Sequence, residues 1–242
     1  MITIKDVRDK TMTQAKRDEA KNSLFAFYVG RPLSYLLTIP FLYTRISPNV
    51  ITLISLLFSI SGFCFITFGQ SLLFHIIGFA MFFMWNLFDG VDGNVARYKG
   101  LKSANGDLLD TLGGYLSMVL IILAMGNIGS FYEKSHIYLN QSLPCILSGL
   151  SAISTLIPRL LMHRKNSQQK SYDESADTLK NKTKYSVPKI IVLNLCDPAG
   201  FQQPLMLICI IFNLATEFTF FYFVVNFIVM VYSIFQLLER KR

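Results

Sequence analysis

The chain is built around apolar runs of about 18 to 20 residues, the length of helix that crosses a hydrocarbon core of roughly 30 Å. They lie at Ile51–Phe68, Ser71–Phe88, Leu108–Ile128 (broken by Asp110) and Leu143–Met162 (with Arg159 near its end), and a last run extends from Leu205 to Leu238. That last run is too long for one span and, divided near Asn213–Glu217, makes two short ones. The expected fold is therefore an all-α integral membrane protein with six transmembrane helices. With 52% hydrophobic residues, 16% charged residues and a mean hydropathy of +0.43, the composition excludes an ordinary soluble globule.

Charge sets the orientation. Loops retained in the cytoplasm carry the excess of Lys and Arg, and all but Lys134 of the 23 basic residues fall on one side of a six-span arrangement. Both termini are thereby placed in the cytoplasm. The net charge of +8 then needs no nucleic acid to explain it, and the headgroups of the lipid bilayer are its ordinary partner. Cys64, Cys145, Cys196 and Cys209 show no CxxC spacing and read as small buried hydrophobes, while His75, His136 and His163 are isolated. The first apolar run follows a long charged segment, so no signal peptide is read and the first span itself would direct insertion.

Residues 1–48 read as a cytoplasmic N-terminal segment with an interfacial amphipathic helix. In it, RPLSYLLTIPFLYTRISPN alternates apolar clusters with Arg31, Pro32, Pro40 and Arg45, and Pro48 ends it. Residues 49–242 form the six-helix transmembrane domain. A charged stretch around Asp173, between the fourth and fifth spans, reads as a mobile linker. The following VPKIIVLNLCDPAGFQQP, too short to span and too apolar to float free, reads as an interfacial or re-entrant segment. No trustworthy internal repeat emerges, which counts against a transporter with inverted halves.

The chemistry is concentrated in DGVDGNVARYKGLKSANGDLLDTLGG, Asp89–Gly114, between the second and third runs. Asp89 and Asp92 are three positions apart and project from one face of a helix continuing the second span. Asp110 lies a turn inside the third span, which runs back the other way. The three carboxylates are expected to converge near the cytoplasmic interface, where they would repel one another unless a cation neutralised them. All-oxygen ligands without His or Cys favour Mg²⁺ or Mn²⁺ over Zn²⁺, and such ions bind substrate phosphates through their remaining positions. Gly90, Gly93, Gly100 and Gly106 allow close approach of a ligand, and Arg97, Lys99 and Lys102 add positive charge. The bland alternative, a solvated loop of acids paired with neighbouring bases, suits Asp107 but not Asp110, which is flanked by LLDTL.

The same stretch resembles the signature of the CDP-alcohol phosphotransferase family, DxxDGxxAR followed by eight residues and then GxxxDxxxD. Asp89, Asp92, Gly93, Ala96, Arg97, Gly106 and Asp110 fall on that pattern, and SPNVIT, with Pro48, Asn49 and Thr52, looks like the family's approach to its first span. The motifs cover roughly residues 31–114, and six spans is the family's number. The resemblance implies a membrane transferase in phospholipid or surface-glycopolymer synthesis. A second alcohol, the acceptor, attacks the β-phosphorus of a CDP-alcohol donor (CDP-diacylglycerol or a CDP-polyol), giving a phosphodiester and CMP. It implies Asp89, Asp92 and Asp110 as ligands of the divalent ions. Asn49, Thr52, Gly93, Ala96, Arg97, Ser103 and Gly106 become nucleotide or substrate contacts, the active site faces the cytoplasm, and a homodimer is implied. An acceptor carrying a phosphate calls for a further cation, for which Arg159 is the first candidate and Lys189 the second.

One position departs from the pattern. Gly114 stands four residues after Asp110, where the family carries the aspartate presumed to be its general base. Asp107 is the candidate substitute. Alternatively another group or metal-bound water deprotonates the acceptor, since loss of a base removes roughly 10² to 10⁴-fold of rate rather than everything. A third reading is a relative that binds CDP-alcohols without turnover. A small ion channel or transporter is the reading of a different class; the placing of the acids at one end of the spans counts against it.

Overall fold

The computed structural model describes residues 2–101, 104–132, 140–172 and 187–239, and its helices carry suitable capping residues at several of their ends. The first, α1 (Ile4–Thr11), opens on a reciprocal pair: the Thr3 hydroxyl accepts from the Asp6 N–H, and the Asp6 carboxylate accepts from the Thr3 N–H. Then come α2 (Gln14–Ala20), α3 (Arg31–Leu42), α4 (Pro48–Phe68), α5 (Leu72–Lys99), α6 (Ala104–Phe131), α7 (Leu143–Tyr172), α8 (Val187–Cys196), α9 (Gln203–Phe212) and α10 (Ala215–Glu239). Pro32 and Pro48 sit in the first turns of α3 and α4, where a missing N–H costs nothing. Two π-helical turns, Ala26–Gly30 and Pro198–Gln202, lead into α3 and α9. Gly100 (φ 70°) and Asn213 (φ 55°) take the left-handed conformation that stops α5 and α9.

Among the described residues five helices are long and apolar enough to cross a membrane: α4, α5, α6, α7 over Leu143–Met162, and α10 over Ala215–Gln236. The protein is thus an integral membrane protein whose expected fifth span is shorter than the others. Pro198–Phe212 is apolar, but its regular helix α9 is only about 15 Å long at about 1.5 Å per residue, because the backbone is non-helical at Gly200 and Asn213 closes α9 after ten residues. The chain does turn between Asn213 and Glu217, as the sequence indicated. α5 runs past Phe88 to Lys99, so Asp89 and Asp92 are helical. The N-terminal segment is packed: Val7 is fully buried and the Lys10 ammonium lies 4.4 Å from the centre of the Tyr98 ring at the end of α5. Helix continues to Tyr172 into the stretch expected as a linker; Asp173, Lys102, Ser103, Lys134 and His136 lie outside the described residues.

α4 and α5 cross backbone to backbone. A Cβ on Gly62 would lie 2.8 Å from the Gly78 carbonyl oxygen, and one on Gly78 would lie 2.5 Å from Ile66 Cγ1. In lipid, where tails are as apolar as side chains, such close backbone approach is a main source of helix association. Phe82 and Trp85 of α5 pack with Ile121 and Met125 of α6, Met206 of α9, and Phe218 and Tyr222 of α10. Hydrogen bonds then fix register. Gln203, fully buried, donates to the Phe82 carbonyl (3.1 Å) and accepts from Asn86 (3.0 Å), pinning α9 to α5. Asn226 of α10 donates to Ser151 of α7 at 3.0 Å.

Gly78→Ala is expected to cost about 1–3 kcal/mol through overpacking and to lower the Tm in detergent. Gly149→Ala, whose added methyl meets open space on α7, should leave the Tm unchanged or raised. Equal Tm values for the two variants would contradict the crossing.

Candidate active site

The start of α4, the end of α5 and the start of α6 meet at one end of the bundle. A cavity of about 450 Å³ opens there, lined by Asn49 and Thr52 from α4, by Asp92, Gly93, Ala96 and Arg97 from α5, and by Gly106, Asp107 and Asp110 from α6. A second cavity of about 350 Å³ is lined by Trp85, Asn86 and Asp89 from α5, by Asp110, Thr111, Gly114 and Tyr115 from α6, by Arg159 from α7, and by Asp197, Pro198 and Ala199 after α8. Asp110 borders both. The sequence-predicted residues are thereby sorted: the motif's small and polar residues fall on the first cavity, and Arg159 and Asp89 on the second. Ser103 is outside the described residues, as is the side chain of Lys189.

Hydrogen bonds hold the first cavity's wall. Asp92, 4% exposed, accepts from the Thr52 hydroxyl at 2.5 Å, tying α5 to α4. Asn94, 3% exposed, donates to Thr38 (3.2 Å) and Ser34 (3.4 Å) of α3 and accepts from Arg97 Nη2 (3.0 Å). The Arg97 guanidinium is laid over Gly93, where a Cβ would come within 3.1 Å of it. Lys99, expected to add charge to the site, instead donates to the carbonyls of Phe41 (3.2 Å) and Thr44 (2.7 Å) and closes the end of α3.

The acids do not converge as the sequence suggested. Residues three apart on a helix differ by about 60° in direction, enough to turn Asp92 to the first cavity and Asp89 to the second. Among the described residues no three acidic, histidine or cysteine side chains are close enough to hold an ion by themselves. Asp89 still feels the charges of Asp92, Asp110 and Asp197. Neither Asp89 nor Asp110 accepts a hydrogen bond from a described residue, and the described salt bridges lie elsewhere, at Arg8–Asp9 and Lys21–Asp18. Carboxylates beside apolar helices that have no hydrogen-bond or salt-bridge partner among the described residues call for a compensating cation. The donor set fits Mg²⁺ or Mn²⁺, which are held by one or two carboxylates and complete their shell with substrate phosphates and water rather than with an all-protein cage.

Sequence reasoning missed Asp197. It follows α8, whose Asn194 (2% exposed) accepts from the Leu24 N–H at 2.8 Å and donates to the Asn22 carbonyl at 2.6 Å, anchoring the segment to the N-terminal region. Asp197 Oδ1 accepts from the Ala199 N–H at 3.1 Å. Arg159 Nη2 donates to the Cys196 carbonyl at 3.3 Å, which brings the guanidinium beside Asp197. Burial pushes the Asp197 carboxyl above the ordinary carboxylate range, against the pull of the Ala199 N–H and of Arg159. The available signal was a lone acid in an otherwise apolar segment, the same signal that singled out Asp110.

The family model described as CDP-alcohol phosphatidyltransferase matches residues 45–232. No curated protein matches the chain.

Asn94→Leu keeps the side-chain volume but removes the partner of Thr38, Ser34 and Arg97. It is expected to destabilise by about 1–3 kcal/mol, read as a lowered Tm in detergent. An unchanged Tm would show that the α3–α5 network contributes nothing.

Proposed function

The chain belongs to the CDP-alcohol phosphatidyltransferase family, and from that premise we propose that it transfers a substituted phosphate group from a CDP-linked alcohol to a second alcohol, releasing CMP. The observation that carries this reading is the meeting of two cavities at Asp110, one bordered by the motif's small residues and the other by a cation. The first suits the cytidine diphosphate. Gly93 makes room for the Arg97 guanidinium that lies over it, Ala96 borders the space left for a flat base, Asn49 and Thr52 offer polar contacts, and Arg97, held by Asn94, meets a phosphate. The second suits the acceptor, with Arg159 placed to receive a phosphate that the acceptor carries.

Asp89, Asp92 and Asp110 would hold the divalent ions, which supply neutralisation of the pyrophosphate and of the departing CMP. The chain's own part is positional. Substrates held on either side of Asp110 bring the attacking oxygen and the leaving nucleotide to opposite faces of the reacting phosphorus, the in-line arrangement that phosphoryl transfer requires. Apolar walls of α4 and α5 admit a lipid-linked donor as readily as a soluble one. The Lys and Arg residues gathered at this end of the helices support a cytoplasmic site, with both termini on that side and Pro198–Phe212 completing a sixth, short span. Gly114, in the place of a carboxylate, favours one second reading, a relative that binds CDP-alcohols without turnover.

The test is CMP release by the purified protein in detergent with Mg²⁺. The donors are CDP-diacylglycerol and CDP-glycerol, and the acceptors are glycerol and glycerol 3-phosphate. Metal-dependent CMP release is expected, abolished by EDTA; saturable donor binding without CMP from any pair would establish the second reading instead. Asp89→Asn should bring release to background and weaken Mn²⁺ binding, whereas Asp9→Asn, at an exposed position of α1, should do neither. Arg159→Met should raise the KM for glycerol 3-phosphate by about 10 to 100-fold, the worth of a hydrogen bond to a charged group, and leave the donor KM unchanged. Equal shifts in both KM values would remove Arg159 from the acceptor site.

A further inference from the structure

The second cavity holds more than the transferase reading has used. Three carboxylates border it, Asp89, Asp110 and Asp197. The first two are committed to the ions. Asp197 is fixed by the Asn194 anchor and by the Ala199 N–H on Oδ1, while Oδ2 accepts no hydrogen bond from a described residue. Gly114 of α6 also borders this cavity, and a Cβ added there meets nothing within 4 Å. The same cavity is bordered by Trp85, 4% exposed, whose indole N–H has no acceptor among the described residues. A buried donor of that kind calls for an oxygen that the described residues do not supply. With Arg159 at the wall, the cavity is equipped for a hydroxylated, anionic molecule and holds one carboxylate free to meet its hydroxyl.

Resting on the transferase reading, we propose that Asp197 supplies, from the segment after α8, the proton-accepting carboxylate that the motif spacing would place at position 114. As the acceptor oxygen bonds to the β-phosphorus, its proton passes to Asp197. The bond from that phosphorus to the bridging oxygen breaks, and CMP leaves with the electron pair. The proton then passes from Asp197 to water. Asp107, the substitute suggested by the sequence, borders the first cavity and not the one that Gly114 borders. Asp197 shares the cavity that Gly114 borders, and the loss at 114 is thereby compensated across the bundle, from the segment after α8, instead of along α6.

The experiment measures CMP release and, separately, CMP binding for wild type, Asp197→Asn, and Asp197→Asn combined with Gly114→Asp. Asp197→Asn is expected to lower release by about 10² to 10⁴-fold with CMP binding unchanged, and Gly114→Asp is expected to restore a large part of it, since the position has room for the side chain. Near wild-type release from Asp197→Asn overturns the role of Asp197 and leaves the transferase reading standing. Loss that Gly114→Asp does not restore, or loss together with CMP binding, makes Asp197 a structural residue and overturns it equally. Absence of CMP release from wild type overturns the transferase reading and this role with it.

Discussion

Carboxylates at the ends of apolar helices are held in place against their own electrostatics, and much of the local structure answers to that constraint. Asp89, Asp92 and Asp110 stand where desolvation and mutual repulsion both oppose their charge. Among the described residues, Asp92 alone of the three accepts a hydrogen bond from another side chain, that of Thr52. In the proposed function the divalent ions satisfy the others. Such an arrangement persists only if the helices that carry the acids cannot move apart, and the close backbone approach at Gly62 and Gly78 joins α4 to α5.

The supporting contacts divide between the two cavities. On the side of the first cavity, α3 reaches Arg97 through Asn94, and Lys99 in turn closes the end of α3, so the N-terminal segment acts as a brace for α5. On the side of the second, Gln203 pins α9 to α5 and Asn194 ties α8 to the N-terminal region. The segment between them carries Asp197. Polar side chains at these junctions are the usual way to fix register in a bundle whose apolar faces discriminate poorly.

Much of this was legible in the sequence, because hydropathy and charge act on whole segments. Five spans and the break near Asn213 follow from apolar length, and most of the motif residues border one cavity, with Asp89 on the other and Asp110 on both. Less legible were contacts that join distant segments. Asp197 lies 87 positions from Asp110 in chain number, and only the anchoring of the α8 segment to the N-terminal region and to Arg159 of α7 reveals that the two share a cavity. The fate of Lys99 was hidden likewise, since its partners are carbonyls at the end of α3 and not ligand phosphates. The 60° offset between Asp89 and Asp92 was available from helix geometry, yet its consequence depended on there being two cavities to face.

The most direct measurement is a structure with CDP-glycerol and Mn²⁺ bound, with the ion located by its anomalous scattering. Cytidine is expected in the cavity bordered by Asn49, Thr52 and Gly93, with Mn²⁺ against Asp89, Asp92 and Asp110 and the second cavity left open towards Arg159 and Asp197. Cytidine in the second cavity, or Mn²⁺ bound away from those three aspartates, would contradict the division of the site at Asp110.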